Sequence, residues 1–357
     1  MFPLELLLKK INTNKVKGIM NIDKLESTAQ AMVAEGRGIL AADESNATIK
    51  KRFDTVNVIN TEENRREYRD LLFNTPDMEN YISAVIFFDE TIHQSTEKGI
   101  KFTELLVSKN VIPGIKVDKG AKPLTNFDNE TITEGLDGLD ERMAEYGKIG
   151  ARFAKWRAVI NIDDVLPSKF AVEANAHALA RYAAICQKNN IVPIVEPEVL
   201  MDGSHSIERC EEVTNVVLEE TFKALQSHKI HLPGIVLKPN MIIPGKLCET
   251  QASPEEVATA TVRCLLRNVP TSVPGIAFLS GGQSPEEASA NLDAMNKIGE
   301  HPWALTFSYG RALQATAISS WQGKDENRAA GQDAFLLRAK CNSAASLGNY
   351  DIAMESA

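Results

Sequence analysis

Eight short apolar runs recur along the chain, each ending in polar or glycine residues, and they restrict the fold more than any other feature. They are Gly38–Glu44, Ile82–Glu90, Val111–Lys119, Phe153–Ile160, Ile191–Glu198, Gly234–Asn240, Gly275–Gly282 and Ala304–Arg311. Several are apolar on both parities, the pattern of parallel strands covered on both faces. Segments with helical periodicity lie between them. Thr61–Phe73 carries Tyr68, Leu71 and Leu72 among charges, Ala171–Asn189 is rich in alanine, and Ser206–Leu225 sets Ile207, Val213, Val216, Val217 and Phe222 among acids. Ser253-Pro254-Glu255-Glu256 and Ser284-Pro285-Glu286-Glu287 each open a helix with proline at its first position. Alternating strands and helices imply a parallel sheet. Eight units without a break in composition favour one closed (β/α)8 TIM barrel over an open doubly wound sheet, and 357 residues suit a single such domain.

The barrel is expected over residues 20–345, after an N-terminal extension at 1–19 and before a C-terminal tail at 346–357. A helix-like segment, Asn21–Glu35, opens the fold, and a last helix is expected at Asp333–Gly348. In the extension, the apolar run Leu4–Leu8 precedes its lysines, the reverse of a signal peptide. It is expected to be disordered, with a targeting role as the alternative. No stretch reaches the roughly 20 apolar residues of a membrane helix. The net charge of −9 argues against nucleic acid or a membrane surface as partner, since both need a basic face. It leaves room for a local basic pocket. The five cysteines are odd in number and show no metal-ligand spacing, so they read as reduced thiols.

Active sites in this fold sit at the C-terminal ends of the strands, and strand residues two apart face the same way. Lys116 and Asp118, Lys155 and Arg157, and Glu196 and Glu198 are such pairs, while Asp43, Lys238 and Arg311 end three further strands. If these parities face the lumen, five cations and four anions converge on one mouth. Isolated buried charges cost several kcal/mol each unless paired. Ion pairs that merely plug the barrel end account for some of these residues, Asp118 and Glu198 above all, but poorly for the whole set.

Lys238 stands in Val236-Leu237-Lys238-Pro239-Asn240, a lysine among apolar residues on a central strand. Desolvation and nearby cations are expected to lower its pKa and expose a nucleophilic amine; a lysine that snorkels to the rim is the alternative. Such an amine can attack a ketone to give an iminium, an electron sink that lets the adjacent C–C bond break. Glu196, between Val195 and Pro197, is expected to be tuned toward neutral pKa for acid–base work. Gly281 and Gly282 follow Ser280, and Gly310 precedes Arg311, at the two strand ends where barrels commonly hold phosphate. Ordinary turn glycines are the other reading. The six histidines form no HExxH-like ligand set, and no metal is expected. His228 and His231 fall before the sixth strand, on the wrong barrel face, and read as solvent-exposed loop residues.

The same residues carry a family resemblance. The runs Leu40–Ser45 (LAADES), Gly114–Gly120 (GIKVDKG), Phe153–Arg157 (FAKWR), Pro193–Leu200 (PIVEPEVL), Leu237–Met241 (LKPNM), Phe278–Ser284 (FLSGGQS) and Thr306–Gln314 (TFSYGRALQ) occur in order. Together they resemble class I fructose-1,6-bisphosphate aldolase over roughly residues 21–350. The resemblance implies a metal-independent lyase that needs no cofactor and cleaves a sugar bisphosphate. Lys238 would form the Schiff base, Glu196 would be the general acid/base, and Asp43 and Lys155 would assist at the hydroxyl released on cleavage. Ser280, Gly281, Gly282, Ser308, Gly310 and Arg311 would hold one phosphate, and Ser45, Thr48, Arg52 and Lys116 would lie near the other. Arg157 and Glu198 would orient the site from behind. The resemblance also implies a cytoplasmic homotetramer.

The sequence departs from better-known members at its end. They finish in a tyrosine that takes part in proton exchange, whereas the last tyrosine here is Tyr350. Thr48 also stands where serine is common. Another Schiff-base barrel aldolase, of the transaldolase or deoxyribose-phosphate kind, would need one phosphate site. Two cationic ends, Arg311 on one side and Lys116 with Arg52 on the other, favour a bisphosphate. A non-catalytic scaffold is the remaining alternative, and intact Lys238, Glu196 and Asp43 argue against it.

Overall fold

The structure is a computed structural model that describes residues 20–356; the extension expected at 1–19 lies outside the described residues. Its strands are β1 (Gly38–Ala42), β2 (Ile82–Phe87), β3 (Ile112–Lys116), β4 (Ala121–Pro123), β5 (Thr131–Thr133), β6 (Phe153–Ile160), β7 (Val192–Val199), β8 (Val236–Leu237), β9 (Gly275–Phe278) and β10 (Ala304–Tyr309). Eight of them close a barrel in the order β1-β10-β9-β8-β7-β6-β3-β2, all parallel. These are the eight apolar runs of the sequence. The antiparallel pair β4–β5 is an addition on the β3–β6 connection that the sequence did not signal. Each strand is only three residues long, too short for an alternation to show, with β4 exposed throughout and β5 partly buried.

The helices are α1 (Ile22–Met32), α2 (Asn46–Asp54), α3 (Glu62–Phe73), α4 (Asp89–Ile92), α5 (Phe102–Ser108), α6 (Leu139–Ile149), α7 (Lys169–Lys188), α8 (Ile207–Ser227), α9 (Pro254–Asn268), α10 (Pro285–Lys297), α11 (Arg311–Trp321) and α12 (Arg328–Ser346). Ser253 and Ser284 form capping boxes with Glu256 and Glu287, and proline follows each cap. Each box satisfies end amides that would otherwise lack partners. The last helix begins at Arg328 rather than Asp333. Beyond it Glu355 pairs with the buried Arg338, and the Tyr350 hydroxyl donates to Glu355 at 2.9 Å, so the tail is tied to the body.

Strand parity divides the core in two. Leu40, Ala42, Val85, Phe87, Val195 and Leu237 point outward and pack with the helices in one large cluster. Ile39, Ala41, Ala84, Ile86, Phe153, Val192, Ile194, Val236 and Ala277 point inward and form a second cluster with Leu25, Ala29, Met32 and Val33. The lower end of the lumen is therefore plugged by α1. Burying Leu25 and Met32 stabilises the plug by about 2 kcal/mol each. Val33 fits because Gly275 has no side chain: a Cβ there would stand 2.7 Å from its atoms.

His231 Nε2 meets Glu26 of α1 at 2.7 Å, and His228 Nδ1 meets the Ala224 carbonyl at 3.0 Å. Both rings are half-buried rather than solvent-exposed loop residues. The difference arises because α1 folds under the barrel against His231, while His228 packs edge-on to His177. Among the described residues no helix is long and apolar enough to cross a membrane.

Candidate active site

The inward columns change character from bottom to top. Ile39 and Ala41 lead to Asp43, Phe153 leads to Lys155 and Arg157, Val192 and Ile194 lead to Glu196 and Glu198, and Val236 leads to Lys238. A period of two thus lifts each charge onto the same face as the apolar residues below it. All nine charged groups expected at the mouth line one cavity of about 1050 Å³ at the C-terminal ends of the strands. So do Ser45, Thr48, Arg52, Ser280, Gly281, Gly282, Ser308 and Gly310.

The centre is a chain of alternating charge. Lys155 Nζ lies 2.7 Å from Asp43 Oδ2 and 3.2 Å from Glu196 Oε2, and Lys238 Nζ lies 3.1 Å from Glu196 Oε1. All four side chains are nearly closed to solvent. Beside them Arg157 is ion-paired with Glu198, and Lys116 Nζ stands 2.7 Å from Asp118 Oδ1.

Burial raises the Asp43 carboxyl, but Lys155 and Lys238 pull it down further, to about 2. Burial lowers the Lys155 ammonium, and Asp43 and Glu196 overcome that, leaving it well above the ordinary lysine range. Burial likewise raises Glu196, yet Lys155, Lys238 and Arg157 outweigh it, and its pKa falls below the usual value. The sequence expectation of a Glu196 tuned toward neutrality is therefore corrected. Its chain neighbours Val195 and Pro197 share its backbone but not its side of the strand; the groups that face it are cations.

Two anion-ready features flank this centre. Among the described residues, the backbone amides of Ser280, Gly281 and Gly282 donate to no protein acceptor, and the Ser308 hydroxyl is buried without a partner. Gly310 precedes α11, so the helix start that opens with Arg311 presents further free amides and a positive end. Across the mouth, Ser45 caps α2, accepting from the Thr48 amide at 3.3 Å, and its hydroxyl meets that of Thr48 at 3.1 Å. Arg52 is ion-paired with Glu44 and approaches β10: its Nη2 lies 3.5 Å from where a Gly310 Cβ would stand. It therefore lines the same cavity as Lys116 while also reaching toward the β10 end of the mouth.

Some mouth residues escaped the sequence reading. Glu44 has the opposite parity to Asp43 and turns outward, where it binds Arg52, Arg69 and the Gln314 amide. Arg142 donates to the carbonyls of Val117, at 2.9 Å, and Gly135, fixing the β3 loop. Lys246 reaches the mouth from the loop after β8. Its only sequence signal is a cation directly after the Pro244-Gly245 turn. Tyr350 is not among the residues lining the mouth. Among the described residues no cluster of three or more His, Cys, Asp or Glu side chains is disposed to hold a metal ion.

Comparisons with known proteins agree with this geometry. The profile of the family described as fructose-bisphosphate aldolase class-I matches residues 24–357. A probable fructose-bisphosphate aldolase class 1 from Xanthomonas axonopodis is 55% identical over 93% of this chain and 99% of its own. Fructose-bisphosphate aldolase C from Rattus norvegicus is 53% identical over 92% of this chain and 91% of its own. A crystal structure of the Plasmodium falciparum aldolase superposes with a TM-score of 0.91 at 53% identity, covering 92% of this chain and 95% of that one. The chain belongs to the class I fructose-bisphosphate aldolase family, whose members cleave fructose 1,6-bisphosphate reversibly to dihydroxyacetone phosphate and glyceraldehyde 3-phosphate through a lysine Schiff base.

Proposed function

We propose that Lys238 is the Schiff-base lysine of this aldolase, and one observation carries the choice. Lys155 has two carboxylate partners, Lys116 has Asp118, and Lys238 has only one side of Glu196, a carboxylate it shares with Lys155. Lys155 is held as an ammonium by its neighbours and has no free lone pair to give. Lys238 can pass a proton to Glu196 and attack.

The sequence of events follows from the geometry. The Lys238 amine adds to the C2 ketone, and the resulting hydroxyl leaves as water with a proton from Glu196. The iminium then accepts the electrons of the C3–C4 bond as the C4 hydroxyl loses its proton. Asp43, ionised throughout the neutral range, accepts from that hydroxyl, and Lys155 offers its positive charge to the developing oxyanion. Glyceraldehyde 3-phosphate departs, the enamine takes back at C3 the proton that the C4 hydroxyl gave up to Asp43, and water releases dihydroxyacetone phosphate.

The phosphates divide by distance from the nucleophile. The C1 phosphate is two bonds from C2, and β9 lies next to β8, which carries Lys238. Ser280, Gly281, Gly282, Ser308, Gly310 and Arg311 therefore receive the C1 phosphate. The C6 phosphate extends across the mouth toward Ser45, Thr48 and Lys116, with Arg52 between the two. Arg157 and Glu198 brace Glu196 and Lys155 from the next position up the strands.

The family resemblance further supports a homotetramer acting in glycolysis and gluconeogenesis in the cytoplasm. Free cysteines are consistent with a reducing compartment. The test of the central assignment is borohydride reduction in the presence of fructose 1,6-bisphosphate, followed by peptide mass mapping. An adduct on the Lys238 peptide is expected; an adduct on Lys155 or Lys116, or none, would overturn it.

A further inference from the structure

We propose that Lys246 is an additional ligand of the C1 phosphate, parked on Asp202 in the free enzyme and transferred to the anion on binding. The inference rests on the assignment of that phosphate to the β9 and β10 loops.

Lys246 has a fixed base and a loosely held head. Its amide donates to the Met201 carbonyl at 2.9 Å, Leu247 N donates to Gly203 O at 2.8 Å, and Gly245 N donates to His205 O at 2.8 Å. These three bonds fasten the loop after β8 onto the loop after β7. The backbone of Lys246 is thus held in place while its side chain remains 43% exposed.

The head is aimed at the phosphate turn. A Cβ built on Gly282 would stand 2.7 Å from Lys246 Nζ and 2.9 Å from its Cε. Gly282 also has φ +91°, so two independent reasons keep a side chain away from the space the ammonium occupies. The lysine therefore lies against the segment whose amides lack acceptors. Amides without acceptors and an ammonium on the same segment suit an anion.

Asp202 is a poor resident for that task. Its carboxylate is 3.4 Å from Nζ and its side chain is 69% exposed. Such a pair is screened by solvent and contributes little. A phosphate dianion in the Gly281–Gly282 turn carries more charge and accepts shorter, charge-assisted bonds. Exchange of Asp202 for phosphate then places one more cation on the bound substrate without assembling a new loop.

The experiment uses the intact enzyme and separates the two ends of the substrate. KM is measured for fructose 1,6-bisphosphate in cleavage, and for dihydroxyacetone phosphate and glyceraldehyde 3-phosphate separately in condensation. Lys246→Met should raise KM for dihydroxyacetone phosphate about tenfold, the loss of one charge-assisted hydrogen bond. It should leave kcat and the KM for glyceraldehyde 3-phosphate within about twofold. Lys246→Arg should restore most of the loss, and Asp202→Asn should shift the same KM downward. An unchanged dihydroxyacetone phosphate KM in Lys246→Met, or an Asp202→Asn variant that behaves like it, would overturn the inference. Arg311→Ala is the control for the underlying reading. If it raises that KM and Lys246→Met does not, the lysine inference alone falls; if neither does, the phosphate assignment falls with it.

Discussion

Removing the charge of Lys155 tests the alternating chain of ions more sharply than any other single change. Lys155→Met keeps the length and apolar stem but leaves Asp43 and Glu196 without the cation that lies 2.7 Å and 3.2 Å from them. At an effective dielectric of 20, each such contact corresponds to about 5 kcal/mol of attraction before desolvation is set against it. Breaking a buried pair from one side costs about 3–5 kcal/mol, because the remaining charge stays buried. For a chain of 357 residues the unfolding entropy is roughly 0.75 kcal/mol per kelvin. A cost of about 4 kcal/mol therefore lowers Tm by about 5 °C at pH 7.

The pH dependence carries a definite sign. In the parent both carboxyls lie below their ordinary values, so they stay ionised and unchanged between pH 5 and 8. In the variant burial is opposed only by the remaining cations, Lys238 above all, and the prediction is that the folded-state pKa values rise above those of the unfolded chain. The folded variant then takes up protons as pH falls and recovers stability. The difference in Tm should shrink from pH 7 to pH 5. Thermal melts at pH 5, 6, 7 and 8 measure this, alongside a coupled cleavage assay in which kcat should fall by about 10²–10³. A Tm difference under about 1 °C, or one that widens toward acid, would refute the account of the centre.

Other predictions address its surroundings. Ser308→Ala removes a buried hydroxyl that has no partner in the free enzyme; it should leave Tm unchanged or slightly raised while KM for fructose 1,6-bisphosphate rises several-fold, and a clear fall in Tm would count against a ligand-facing role. Cleavage should persist in EDTA, because the iminium supplies the electron sink; strong inhibition reversed by a divalent metal would contradict this.

Much of this molecule can be read directly from its residues. Strands covered on both faces are forced to be apolar on both parities, which is why Ile82–Phe87, Ser83 aside, and Gly275–Phe278 stand out. A site at strand ends leaves its charges two residues apart, as Glu196 and Glu198 show. What escaped depends on partners distant in sequence. The pKa of Glu196 is set by Lys155, Lys238 and Arg157 on other strands, not by Val195 and Pro197. His231 reads as a loop residue until Glu26 arrives from the other end of the chain. Lys246 looks like any solvated lysine because nothing local points it at Gly282. The β4–β5 hairpin is invisible because each of its strands is three residues long, too short to show a pattern.

The plug beneath the lumen also dictates an order of assembly. Helix α1 is the first described element to leave a ribosome, yet most of what it rests on comes late. Asn21 N bonds Asn190 Oδ1 at 2.6 Å, Glu26 meets His231, Val33 sits on Gly275, and the Arg37 carbonyl accepts from Thr306 Oγ1 at 2.8 Å. The apolar face formed by Leu25, Ala29 and Met32 therefore meets only β2 early, and its remaining cover arrives with the second half of the chain. Contacts this distant in sequence make for slow closure. The feature that closes the lumen from below is thus completed in stages, by β2, then by the β7–β8 region, and last by β9 and β10.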